Sequence, residues 1–164
     1  MQSLARPPIF NVVDNEDSYF MPNTLLIGKD WMMSESIKIL CVEDDKDSCE
    51  LLDFILSGKG FEVISCSTSQ EGLNLAKQGG FSAIILDYRL PEISGLEICR
   101  EIRTYDKQTP IIFYTASAYP KEKEAGLAAG ANAYLVKPND LDKIAKTITD
   151  LVSISDKASS PMLV

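Results

Sequence analysis

The sequence predicts an open, doubly wound α/β sheet of five parallel strands, and three observations carry that expectation. Five short apolar runs alternate strictly with five amphipathic segments between residues 37 and 152. The runs are rich in Ile and Val and lack a period of two, as strands covered by helices on both faces require. The intervening segments repeat apolar residues at three- and four-residue spacings, the stripe of a helix packed on one side. A strand–helix alternation of about 120 residues makes one domain of ordinary size.

Taken in order, IKILCV (37–42) leads into the helical segment DSCELLDFIL (47–56), which Asp45 is placed to cap and Gly58 and Gly60 to end. FEVISC (61–66) precedes SQEGLNLAKQ (69–78), where Thr68 and Glu71 have the spacing of a capping box and Gly79 and Gly80 mark the stop. AIIL (83–86) precedes GLEICREIR (95–103), opened by a second capping box of Ser94 with Glu97. PIIFYTA (110–116) precedes KEKEAGLAA (121–129), with Pro120 suited to a first helical turn and Gly130 to the exit. AYLV (133–136) precedes DLDKIAKTITDLV (140–152), where Leu141, Ile144, Ala145, Ile148, Leu151 and Val152 share one face opposite Asp142, Lys143 and Lys146. Residues 36–153 are therefore the expected folded domain. Residues 1–35 mix prolines with scattered apolar residues in no period and read as an irregular N-terminal extension, and 154–164 read as a disordered tail.

Composition narrows the function. The chain has 164 residues, 45% apolar and 24% charged, and 16 Lys+Arg against 24 Asp+Glu give 16 − 24 = −8. Phosphate backbones and anionic lipid repel such a chain, so neither nucleic acid nor a membrane is an expected partner. There is no His, which excludes Ser-His-Asp and Cys-His hydrolases, His-ligated zinc, and a phosphohistidine carried by the chain itself. Cys41, Cys49, Cys66 and Cys99 form no C-x-x-C and read as reduced, mostly buried thiols. No apolar stretch approaches the roughly 18 residues of a spanning helix, and no signal-peptide core forms before Asn11 and Asp14. A cytoplasmic location is the resulting expectation.

Ligands of open parallel sheets bind beyond the carboxyl ends of the strands. Those ends carry Glu43, Asp44 and Asp45 after the first strand, Asp87 after the third, Thr115 on the fourth, and Lys137 with Pro138 after the fifth. Clustered carboxylates ionise together only around a cation, and hard oxygen donors with room for water select Mg²⁺. With a phosphoryl group added, Mg²⁺ would neutralise one side while an ammonium and a hydroxyl hold the remaining oxygens. The nucleophile would then be a carboxylate, and an aspartyl phosphate made without hydrolytic machinery stores a signal.

The strings CVEDD (41–45), LDYRLPEISG (86–95), TA (115–116) and YLVKP (134–138) resemble the receiver domain of two-component response regulators, over roughly residues 36–153. In this the chain is similar to the single-domain chemotaxis regulator. It implies a flavodoxin-like (βα)₅ sheet of strand order 2-1-3-4-5. It implies that Asp87 is the phosphoacceptor, that Glu43, Asp44 and Asp87 hold Mg²⁺ with the backbone carbonyl of Arg89, and that Thr115 and Lys137 bind the phosphoryl oxygens. Lys137–Pro138 would be a cis peptide, and Tyr134 would rotate inward with Thr115 as the activation switch. The phosphodonor would be a sensor histidine kinase or a histidine phosphotransfer protein, the output an unidentified downstream protein, and a homodimer through the last two helices is compatible with the family. The chain would be a stand-alone signalling domain, not an enzyme beyond its own phosphorylation and dephosphorylation. Arg89 and Ser117 occupy positions that tune phosphate lifetime in the family, and KEKEAG after TASAYP lacks an Asp common there.

Each residue taken singly has an ordinary explanation: a turn-forming Asp, a β-branched strand Thr, a snorkelling Lys, a half-buried Tyr. Their joint placement at four strand ends favours the functional reading. The alternatives are a receiver-like adaptor that works without phosphate, a phosphatase of the haloacid dehalogenase type, and a flavin carrier. The phosphatase usually needs a second Asp where Arg89 stands, and a flavin phosphate is repelled by the acidic loop EDDKDS. For the extension 1–35, the choice lies between a partner-binding arm anchored by Ile9, Phe10, Tyr19, Phe20 and Trp31, and a segment upstream of a start at Met32 or Met33.

Overall fold

The computed structural model describes residues 36–159. Its elements are β1 (Lys38–Val42), α1 (Lys46–Ser57), β2 (Glu62–Cys66), α2 (Ser69–Gln78), β3 (Ala83–Leu86), α3 (Gly95–Tyr105), β4 (Ile111–Thr115), α4 (Pro120–Ala128), β5 (Ala133–Val136), a 3₁₀ turn (Leu141–Lys143) and α5 (Ile144–Ser159). The five strands form one parallel sheet in the order β2-β1-β3-β4-β5, as the resemblance implies.

Two apolar layers cover the sheet. On one face Leu52 and Leu56 of α1 join Ile144, Ala145, Ile148 and Val152 of α5 over Ile39, Cys41, Ile85, Ile112, Tyr114 and Leu135. On the other, Leu73 and Ala76 of α2 join Ile98, Cys99 and Ile102 of α3 over Leu40, Val42, Ile84, Leu86 and Phe113. Successive strand residues face opposite layers, which is why the strands read as unbroken apolar runs. All four cysteines are free, and Cys41, Cys66 and Cys99 are buried; burial pushes the Cys66 thiol up to about 12.

Local chemistry sets the helix ends. Asp45 accepts the Ser48 amide at 2.9 Å, and Thr68 accepts the Glu71 amide at 3.3 Å. Ser94 and Glu97 close a reciprocal capping box, and Pro120 opens α4. Gly130, with φ of 104°, turns the chain from α4 toward β5, where an added Cβ would also meet the Arg103 side chain at 2.9 Å.

Two boundaries differ from the sequence expectation. The last helix starts at Ile144 and not at residue 140, because the Asp140 carboxylate is committed to the Val136 amide at 2.9 Å and caps nothing. The same helix continues to Ser159, so residues 154–159 of the expected disordered tail are helical. No helix breaker intervenes before Pro161. Residues 160–164 and the extension 1–35, with its possible anchors and start sites, lie outside the described residues. Among the described residues no helix is long and apolar enough to cross a membrane.

Candidate functional site

The register of the sheet builds the site. Val42 lies beside both Cys66 and Leu86, and Thr115 beside Val136. The next residues leave the strands but keep one more ladder bond: Glu43 N–H to the Cys66 carbonyl at 3.0 Å, Asp87 N–H to Val42 at 3.0 Å, and Lys137 N–H to Thr115 at 2.8 Å. Three charged side chains are thereby presented from backbone as firm as the strands themselves, on one rim.

On that rim the carboxylate oxygens of Glu43, Asp44 and Asp87 lie within 4.8 Å of one another. The Lys137 ammonium donates to Glu43 and lies 3.5 Å from Asp87 Oδ2. Glu43 is 2% exposed, whereas Asp44 is open to solvent. Burial pushes the Glu43 carboxyl up, with the nearby Asp87 charge adding and Lys137 pulling back. Burial works against the Lys137 ammonium, yet its hydrogen bond to Glu43 and the charge of Asp87 outweigh it and hold the lysine above its ordinary value. Three carboxylates and one ammonium leave −3 + 1 = −2, the charge a divalent cation cancels. The donor set is oxygen only and open on the Asp44 side, which suits Mg²⁺ with retained water.

The loops around the rim are hydrogen-bonded to it. Arg89 N–H donates to Asp87 Oδ1 at 3.2 Å, while its guanidinium reaches Glu122 on α4 at 2.7 Å. Glu122 also takes the Ser117 hydroxyl, and Ser117 N–H donates to the Thr115 hydroxyl oxygen at 3.3 Å. Tyr134 points inward, 6% exposed, and its hydroxyl donates to the Ser117 carbonyl at 3.0 Å. Its ring stands 5.7 Å from Phe113, which in turn stands 5.5 Å from Tyr88. Lys137–Pro138 is cis. Asp45 serves the α1 cap, and its amide steadies Glu43 Oε1 at 3.3 Å.

The sequence-predicted residues Glu43, Asp44, Asp87 and Lys137 thus meet, with Thr115 on the adjoining strand end and Tyr134 beneath it. Three contributors were not picked out in the sequence. Glu122 joins the two loops through partners 33 and 5 positions away, and its only local signal is an acid in a first helical turn. Gly95 begins α3 where a Cβ would come 1.9 Å from the Asp87 carbonyl oxygen. Gly126 lets α4 lie against Phe113 and Tyr134, with a Cβ only 3.0 and 3.3 Å from their rings.

A parallel 2-1-3-4-5 sheet with this acidic rim defines a CheY-like signalling domain. A family model of the response regulator receiver domain matches residues 39–149, and the chain belongs to that family. It is 39% identical over 110 residues to the uncharacterized transcriptional regulatory protein YkoG of Bacillus subtilis, covering 67% of this chain and 48% of that protein. Among solved structures, the CheY-like receiver domain protein of Methanospirillum hungatei superposes with a TM-score of 0.70 at 27% identity, covering 74% of this chain and 98% of that one. The response regulator TrrA of Thermotoga maritima, solved in complex with Mg²⁺-BeF, gives 0.64 at 32% identity, over 70% and 97% of the two chains. The chain spans half or less of the length of the curated relatives it matches, 48%, 30% and 50% for three of them.

Proposed function

We propose that this chain accepts a phosphoryl group onto the Asp87 carboxylate from a phosphohistidine on a partner protein, a sensor kinase or a phosphotransfer protein, and signals through protein–protein contacts. The receiver unit in this reading occupies residues 36–153. The observation that carries it is the Asp87 carboxylate on the sheet rim, 3.5 Å from the Lys137 ammonium and within 4.8 Å of Glu43 and Asp44 oxygens. An Asp87 oxygen attacks phosphorus, the donor P–N bond breaks, and the imidazole departs with the electron pair. Arg89 N–H holds the carboxylate orientation during attack. Lys137 lies where it can pair with a transferred phosphoryl oxygen, and the Thr115 hydroxyl, one strand over, can donate to another. Glu43, Asp44, Asp87 and the Arg89 carbonyl would hold Mg²⁺, which supplies charge neutralisation on the phosphoryl oxygens.

The readout follows from the hydroxyl at Thr115. Drawing it toward a phosphoryl group pulls on the Ser117 amide that now donates to it, and Ser117 is also the acceptor of the Tyr134 hydroxyl. Thr115 and Tyr134 would therefore switch together, altering the face formed by α4, β5 and α5 that meets the downstream protein.

The test is intact mass and phosphate-affinity gel mobility of wild type and Asp87→Asn after acetyl phosphate treatment, with and without Mg²⁺. A single acid-labile adduct in wild type alone, requiring Mg²⁺, is expected. Equal phosphate on Asp87→Asn overturns the acceptor assignment. No adduct and no beryllofluoride complex in wild type would leave the phosphate-independent adaptor as the better reading.

A further inference from the structure

We propose that Glu122 is a positioning residue that straps together the two loops flanking Asp87 and thereby sets how long a phosphoryl group survives there; the proposal rests on the reading of Asp87 as acceptor. A continuous hydrogen-bond chain runs from the Asp87 carboxylate to the Arg89 amide, and from the Arg89 guanidinium to Glu122 at 2.7 Å. It continues from Glu122 to the Ser117 hydroxyl and from the Ser117 amide to Thr115. Glu122 is the one link contributed by α4, and both of its carboxylate oxygens are engaged, Oε1 by Arg89 and Oε2 by Ser117. Its side chain is 23% exposed above a Ser117 that is 5% exposed.

An acid in a first helical turn has a sufficient electrostatic reason to be there. That reason does not require it to bridge two other elements, and Glu122 does so with the two residues that border Asp87 and Thr115. Hydrolysis of an aspartyl phosphate needs water to attack phosphorus from the side opposite the Asp87 oxygen. The P–O bond to Asp87 then breaks, the carboxylate leaves with the electron pair, and the attacking water's proton passes to solvent. A phosphoryl group on Asp87 would project between the β3–α3 and β4–α4 loops, so that attack path passes the gap the strap closes. Opening the strap exposes phosphorus to water. It also frees α4, so phosphate lifetime and the position of the output face are governed by one carboxylate.

The experiment follows loss of the acid-labile adduct over time in wild type, Glu122→Ala, Glu122→Gln, Arg89→Ala and the Arg89→Ala/Glu122→Ala double variant, at low salt and at about 0.5 M salt, where exposed ion pairs are screened. Glu122→Ala is expected to shorten the lifetime by about two- to fivefold, the range a partly exposed ion pair supports. The double variant is expected to be no shorter-lived than Glu122→Ala alone, since both changes cut the same bridge. High salt should shorten the wild-type lifetime and leave Glu122→Ala unchanged, which a merely structural role for Glu122 would not produce. Should Glu122→Ala fail to fold, Glu122→Gln, which keeps the shape and loses the charge, carries the test with an intermediate lifetime and a weakened salt response. Normal phosphate uptake with an unchanged lifetime, or with additive effects of the two alanines, overturns the strap alone. Absence of uptake in wild type overturns the acceptor reading and the strap with it.

Discussion

Glu43 and Lys137 form the pair on which the charge balance of the rim turns. Their side chains are 3% and 15% exposed, so removing one leaves the other charged in a poorly solvated place. Lys137→Met should cost about 3 kcal/mol at neutral pH, the usual result of orphaning one member of a buried pair. The Glu43 carboxyl is already held above its ordinary 4.5, and without Lys137 it rises further. A folded-state value above the unfolded one lowers stability as pH climbs past 4.5, so the penalty of Lys137→Met should shrink as pH falls toward that value. Urea unfolding of wild type and variant at pH 7 and at about 4.5 measures it. The lysine has the opposite sense. Its raised value contributes stability that is complete below 10.5 and is lost as pH rises through the folded-state value. Glu43, Asp87 and Lys137 were legible because each is the residue beyond an apolar strand, and Asp44 because it stands next to Glu43, positions readable from the chain alone. Glu122 was not, because its partners belong to loops that only the folded sheet brings together.

The start of α3 shows how an element can shape chemistry without contributing a functional group. Its capping box fixes the helix entry, and Ser94→Ala should cost about 1 kcal/mol in thermal or urea unfolding. The residue after the cap is a harder constraint. A Cβ at Gly95 would meet the Asp87 carbonyl at 1.9 Å, a backbone atom that cannot step aside. Gly95→Ala should therefore cost about 3 kcal/mol, the upper end of the usual overpacking range, and any variant that folds should show slowed phosphate uptake, because the backbone carrying Asp87 has moved. Caps, proline at a first turn and glycine exits are local codes, which is why the elements were placed closely from sequence. Asp140 was misread for the complementary reason: a carboxylate two residues past a proline serves as well to close a turn on Val136 as to begin a helix.

At the scale of the whole molecule the sheet order decides what is near what. β1 lies between β2 and β3, so the acidic residues following it lie beside Asp87 after β3, and the lysine after β5 reaches Asp87 from two strands away and Glu43 from three. An ion that binds this rim only in the folded state stabilises the fold by mass action. Mg²⁺ at about 100 times its dissociation constant should add about 2.7 kcal/mol, and Asp44→Asn should abolish most of that gain in a thermal melt. The layering and the parallel pairing were legible because every strand is apolar throughout and every connection is a helix. The order 2-1-3-4-5 came from the motif resemblance, since periodicity alone does not choose which strand is central.

Lys137 reaches a carboxylate 94 positions earlier in the chain. During synthesis the N-terminal part of the domain, with its three acidic groups, emerges well before the lysine, and pairings of such long sequence separation form late and at high entropic cost. In the proposed mechanism, a growing, clipped or misfolded chain therefore holds an acceptor carboxylate with no ammonium beside it. In that mechanism, competence to carry the signal arrives only once β5 is in place beside β4, so a phosphorylated molecule reports that the far edge of its sheet has formed.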